Sequence, residues 1–155
     1  MSALKSVALA IELAKRKRDQ VQHSFVRVQR NRFFAQDQMD QLERYADDTE
    51  MRWTLTAQAG TNTELMRHHY QFMERLRQAI TLQVKVIADV DQQLAAAKKI
   101  LLQADYRVMA LEHMLGRKQA ELAAIESRKA QKQMDEFASS QYARTSGRYE
   151  IGDAR

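Results

Sequence analysis

Cysteine and proline are absent from this chain of 155 residues, and glycine occurs only four times. Without a thiol there is no disulfide framework, thiolate zinc site, iron–sulfur cluster or cysteine nucleophile, and the composition suits a reducing compartment with the cytoplasm as the default. A chain that turns often needs proline and glycine, so their scarcity excludes a loop-rich fold and implies few, long elements. Alanine inflates the hydrophobic fraction of 45%, and aromatics make up only 7%. The large apolar side chains are therefore too sparse for a thick core and must lie on a narrow stripe. No apolar run is long enough to span a membrane, and the stretch from Val7 to Ile11, cut by Glu12, lacks the layout of a cleavable signal. A Gly-rich phosphate loop, a nucleophile elbow, an H-E-x-x-H helix and a calcium loop are all missing, which removes the recognisable routes to catalysis, a metal or a cofactor. The composition points to one non-enzymatic domain of modest size.

What is present is period. From Leu4 the residues Val7, Ile11, Ala14, Val21, Phe25, Val28, Ala35, Met39, Leu42, Ala46 and Trp53 follow alternating steps of three and four, with Arg18, Arg32 and Thr49 as the polar interruptions. A second series runs Met66, Met73, Ile80, Ile87, Leu94, Leu101, Val108, Leu115 and Leu122 at a spacing of seven. Its companions are His69, Leu76, Gln83, Val90, Ala97, Ala104, Leu111, Lys118 and Ile125, so three polar residues interrupt that seam. An ideal helix would carry such a stripe away from its partner by about 20° per heptad. A seam this long therefore predicts a left-handed supercoil with a partner helix.

The two series meet at Ala59-Gly60-Thr61-Asn62-Thr63-Glu64. Gly60 suits the left-handed conformation that ends a helix, and Thr61 with Glu64 forms a capping-box pattern for the next one. A connection this short forces antiparallel neighbours. The spacing thus predicts an all-α fold: an antiparallel coiled-coil hairpin over residues 1–142, with helices from about Ala3 to Ala57 and about Asn62 to Tyr142 and a turn at about 58–63. Met1 then lies level with about Arg117, leaving Lys118 to Tyr142 as an unpaired overhang. Residues 143–155, with mixed charge and two glycines, read as a flexible C-terminal tail.

Charge is segregated along the chain. Residues 1–36 carry eight basic and two acidic groups, whereas residues 37–50 carry six acidic and one basic. Basic groups concentrate at Lys15-Arg16-Lys17-Arg18, Arg27, Arg30 and Arg32, and again at Arg117, Lys118, Arg128, Lys129 and Lys132. Such a run is either a solvated helix face or a docking surface for a polyanion or an acidic protein. Glu64 with His68-His69 is the one metal-like cluster, and a surface histidine beside a seam histidine accounts for it, since a closed zinc site needs four ligands.

Phe33, Phe34, Tyr45, Tyr70, Phe72 and Tyr106 fall off the seam, where a plain coiled coil carries charge. Among them, Tyr45 with Gln38 and Phe72 with Ala79 occupy g positions, and in an antiparallel pair the g edges share one flank. The hairpin register sets Gln38 level with Ala79 and Tyr45 level with Phe72. These rings either widen the core or form a binding face.

The double heptad, the Leu-containing start and the late motif Gln131-Lys132-Gln133-Met134-Asp135-Glu136-Phe137-Ala138 after Arg128-Lys129 resemble the FliJ family over nearly all of the chain, up to about Ala143. That family is the small coiled-coil component of the flagellar type III export apparatus. The resemblance implies a non-catalytic stalk that enters the hexameric ring of the export ATPase FliI and works alongside its regulator FliH. It further implies contacts with the cytoplasmic region of the export gate protein FlhA and with export chaperones, at the cytoplasmic face of the inner membrane. Its gate-facing patch corresponds here to Gln38, Leu42, Tyr45, Phe72, Leu76 and Ala79. Leu42 and Leu76 sit at d, where packing is the stronger reading, and Thr49 and Gln83 stand where related proteins carry a further Tyr and His. Charge, rather than a matched motif, nominates Lys15, Arg16, Arg27, Arg30, Arg128, Lys129 and Lys132 as ring-facing. The alternatives are the stalk of a virulence secretion system, a basic coiled coil binding nucleic acid, and a parallel dimeric spacer.

Overall fold

A computed structural model of the chain describes residues 2–153, with side chains described for residues 2–148. It contains two helices, α1 (Ser2–Gln58) and α2 (Thr63–Asp153), and no strand among the described residues. Met1, which the register set level with Arg117, lies outside them.

The turn is built from three local devices. The amides of Ala59 and Gly60 donate to the carbonyls of Thr56 and Ala57 at 3.2 and 3.3 Å, tightening the end of α1. Gly60 then takes φ +113°, a conformation that costs an L side chain but not glycine. Finally the Leu65 amide donates to the Asn62 Oδ1 at 2.8 Å, which makes Asn62 the N-cap of α2. The expected Thr61–Glu64 capping box is not what forms, since the Thr61 hydroxyl instead donates to the Asn62 carbonyl at 3.4 Å. Asparagine is as good an N-cap as threonine, and Asn62 stands three residues before the amide it accepts from.

The chain divides into two compact units, one made of Ala14–Arg107 and the other of Met1–Leu13 with Val108–Arg155. In the first, contacts pair falling numbers on α1 with rising numbers on α2, as a hairpin requires. Trp53 stacks on His69, Tyr45 meets Phe72, Gln38 bonds Gln83 and Arg32 bonds Asp91. Every seam residue of α1 in this unit, polar ones included, is buried or half-buried. Two of the seam's polar residues, Arg32 on α1 and Gln83 on α2, are hydrogen-bonded across it. Arg32 bonds Asp91 and Gln36, Gln36 bonds Asp40, and the Gln83 amide donates to the Ala35 carbonyl at 2.8 Å. Hydrogen bonding offsets the cost of placing polar groups against the partner helix.

In the second unit Val7, Ile11 and Val108 are buried, and Leu4, Leu111, Leu115 and Lys118 are half-buried. Beyond Lys118 the stripe stops, and residues 119–146 are all exposed. Leu122 and Ile125 continue the heptad but are exposed, and the next a and d positions, Lys129 and Lys132, are cationic. The helix nevertheless runs past Tyr142 to Asp153, beyond the end expected for it. No proline stops it, and Gly147 and Gly152 cost only about 1 kcal/mol each relative to alanine.

Candidate functional site

Within the unit Ala14–Arg107 the two flanks of the seam differ in chemistry. The e positions carry Lys15, Glu43, Glu50, Arg77, Asp91, Lys98 and Asp105, the mixed charge usual for a coiled coil. On this flank Asp91 meets Arg32, and Glu50 lies 3.8 Å from the His69 Nε2. The g positions are Lys17, Ser24, Asn31, Gln38, Tyr45 and Arg52 on α1 and Phe72, Ala79, Val86, Gln93, Ile100 and Arg107 on α2. No acid occurs there, and the three cations stand toward its two ends. A flank without acids, whose middle carries rings and aliphatic groups, has the composition of a contact surface.

The gate-patch residues expected from the resemblance lie on this flank or beside it. The Tyr45 and Phe72 rings meet edge to face, 5.8 Å apart at 81°, and remain 52% and 37% exposed. Leu42 and Ala79 are half-buried, and Leu76 is buried at 7% exposure, which makes it part of the packing. Gln38, Gln41, Leu42, Tyr45 and Gln83 line an open depression of about 520 Å³. Its origin is the seam itself. Ala35 and Gln83 occupy d positions next to the g edge, and neither fills the space a leucine would take, while the Gln83 amide is held inward by the Ala35 carbonyl and by Gln38. Gln41 and Gln83 join the depression without having been expected in it. The signal was present in the polar interruption at Gln83, which breaks an apolar series beside Gln38.

Of the basic residues, Lys15 is exposed on the e flank and Arg16, Arg27 and Arg30 are exposed on the outward side of α1, at f, c and f, all in the first unit. Arg128, Lys129 and Lys132 are exposed in the second unit, on the stretch of α2 that has no buried residue. The other exposed rings, Phe33, Phe34, Tyr70 and Tyr106, lie off the seam as their positions imply. His69 is buried against Trp53, with ring centroids 4.3 Å apart and planes 9° from parallel, so it serves the seam while His68 faces outward. No helix among the described residues is long and apolar enough to cross a membrane.

A model of the family described as Flagellar FliJ protein matches residues 4–147. Searches of curated proteins and of solved structures returned no match. The family match begins at the first seam residue, covers nearly all of α1, the turn and α2 as far as residue 147, and includes the Gln131–Ala138 motif; the chain belongs to the FliJ family of flagellar proteins.

Proposed function

We propose that this chain is a non-catalytic stalk of the flagellar type III protein export apparatus. Its two helices form an antiparallel, left-handed coiled-coil hairpin, a reading supported by the order of the inter-helix contacts and by the heptad burial. It promotes assembly and activity of the hexameric export ATPase FliI, in company with FliH, and links that ring to the export gate protein FlhA and to substrate chaperones. It acts in the cytoplasm and reaches the inner membrane through its partners only. The observation that carries this reading is the family match over residues 4–147.

Two surfaces divide the work. The gate contact uses the g flank around Gln38, Leu42, Tyr45, Phe72, Leu76 and Ala79, where exposed rings border an open depression. The ring contact uses the exposed cations Lys15, Arg16, Arg27, Arg30, Arg128, Lys129 and Lys132, which suit acidic loops. The seam's polar positions tolerate the changing neighbours that a ring presents as its subunits exchange nucleotide.

The test is ATP hydrolysis by the cognate export ATPase with and without this protein, with ring formation followed by electron microscopy in the same samples. Stimulation accompanied by more hexameric rings is the expected result. No change, with the protein shown to be folded and helical, sinks the stalk role.

A further inference from the structure

The g flank holds a second hollow. Ala14, Lys17, Val21, Ile100, Gln103, Ala104 and Arg107 line one cavity of about 170 Å³. Val21, Ser24, Ala97 and Ile100 line another of about 270 Å³, so the two share Val21 and Ile100 and form one groove. The cause is legible in the heptads. Ala14, Ala97 and Ala104 are all d residues, d lies next to g around a helix, and alanine leaves empty the space that a leucine there would fill. Ile100, itself at g, stands 50% exposed in the groove. The groove lies on the same unit and flank as Tyr45–Phe72 but about 42 Å further along α2, at about 1.5 Å per residue.

Its rim has one sign of charge. Lys17 and Arg107 are exposed at g and form no ion pair among the described residues. The adjoining c positions at this level are Gln20, Arg27, Ala96 and Gln103, which add a third cation and no acid. The nearby carboxylates Asp91 and Asp105 belong to the opposite, e flank. An apolar floor of this kind discriminates against a bare polyanion, which would leave Ile100 and Val21 wet. A polar or cationic protein surface is disfavoured by the rim.

We propose that this groove docks an acidic amphipathic helix of a partner protein. Aliphatic side chains spaced three and four apart seat over Val21, Ala97, Ile100 and Ala104, and carboxylates flanking that stripe face Lys17, Arg27 and Arg107. A groove running between two packed helices is the seat that a third helix occupies by ridge-into-groove packing. The inference does not rest on the gate or ring contacts: it leaves out the Tyr45–Phe72 patch and the outer face that carries Arg16 and Arg30, it shares Arg27 alone with the ring-facing cations, and the rim residues that line the groove are Lys17 and Arg107.

The experiment is fluorescence polarisation of the full chain with two labelled synthetic helices that share one leucine stripe, flanked by glutamate in one peptide and by lysine in the other. The glutamate peptide should bind at least about tenfold more tightly than the lysine peptide, since steering and register both depend on the rim charges. Ile100→Asp should weaken it by about tenfold or more through loss of apolar contact. Ser24→Phe, which fills the groove and leaves the seam and every charge in place, should do the same, so that a folding defect in one variant does not decide the matter. Lys17→Glu with Arg107→Glu should reverse the preference, and Tyr45→Ala should leave binding unchanged. Equal binding of the two peptides, failure of both to bind, or binding indifferent to Ile100→Asp and Ser24→Phe overturns the proposal. Sedimentation showing a dimer that Ile100→Asp dissociates would assign the groove to a second copy of this chain, and that result overturns it as well.

Discussion

The imidazole of His69 lies flat on the indole of Trp53, with ring centroids 4.3 Å apart, so a polar d residue near the turn packs as an aromatic one would. Trp53 is the chain's one tryptophan, which makes this contact visible in fluorescence. His69→Ala removes the stacked ring and leaves a gap on the seam. We expect a loss of about 1–2 kcal/mol in urea denaturation and a red shift of the tryptophan emission in the folded state. An unchanged emission maximum would show that the stack does not exist in solution.

At the turn, three neighbouring substitutions should separate cleanly. Gly60→Ala meets no atom within contact distance but must adopt φ +113°, so the cost is conformational, about 1 kcal/mol or more. Asn62→Ala removes the acceptor for the Leu65 amide and should cost about 1 kcal/mol. Thr61→Ala should be nearly silent, because its hydroxyl caps no amide of α2. Thermal melts of the three variants check the order, and a Thr61→Ala loss equal to that of Asn62→Ala would restore the capping box.

Much of this was readable beforehand, for reasons that individual residues make plain. Spacing marks Val7, Met39, Met73 and Val108 as inward-facing, because period alone determines which side of a helix faces its partner, and all four are buried. Gly60 is legible because glycine has a conformational use that no other residue shares. Thr61 and Asn62 are both competent caps, and which one serves depends on where Gly60 leaves the chain, a matter of three-dimensional path. The end of α2 is not legible, because the mixed charge and two glycines of residues 143–155 resemble a tail, yet a helix stops only where something stops it. The depression beside Gln83 was hidden for another reason. Its walls come from both helices, and small d residues announce a hollow only once the register sets them side by side.

The seam's Arg32 tests how polar interruptions act. Its guanidinium bonds Asp91 across the seam and Gln36 along α1, but both partners of the ion pair are partly exposed. Such a pair contributes well under about 1 kcal/mol. Arg32→Leu should therefore leave stability unchanged or raise it, as the aliphatic side chain packs better at an a position. A marked fall in melting temperature would show that the Arg32, Gln36 and Asp40 network is worth more than its exposure suggests.

The two rings of the proposed gate patch and the leucine beneath them make opposite predictions. Tyr45→Ala and Phe72→Ala remove half-exposed rings, so each should cost little stability, about 1 kcal/mol or less, yet weaken binding to the FlhA cytoplasmic region. Leu76→Ala empties a buried d position and should cost about 2–3 kcal/mol of stability. Calorimetric titration beside thermal melts separates the two effects. If Tyr45→Ala unfolds the helices, the rings are packing and the patch is not a docking face.

Electrostatic docking in the ATPase ring is open to one decisive substitution set. Lys15 on the e flank and Arg16, Arg27 and Arg30 on the outer side of α1 are exposed in the unit Ala14–Arg107, whereas the Tyr45–Phe72 patch lies on the g flank of that unit. Reversing all four to glutamate changes the local charge by eight, and exposed positions off the seam bear little packing, so the fold should survive. Stimulation of the export ATPase should then be lost while FlhA binding persists. Raising the salt concentration should mimic the loss in the unmutated protein, since contacts between exposed charges are screened beyond about 8–10 Å at physiological ionic strength. Stimulation that survives both charge reversal and salt would mean that ring contact is apolar. Met134 and Phe137, both exposed on α2 near Arg128, Lys129 and Lys132, would then be the residues to replace next.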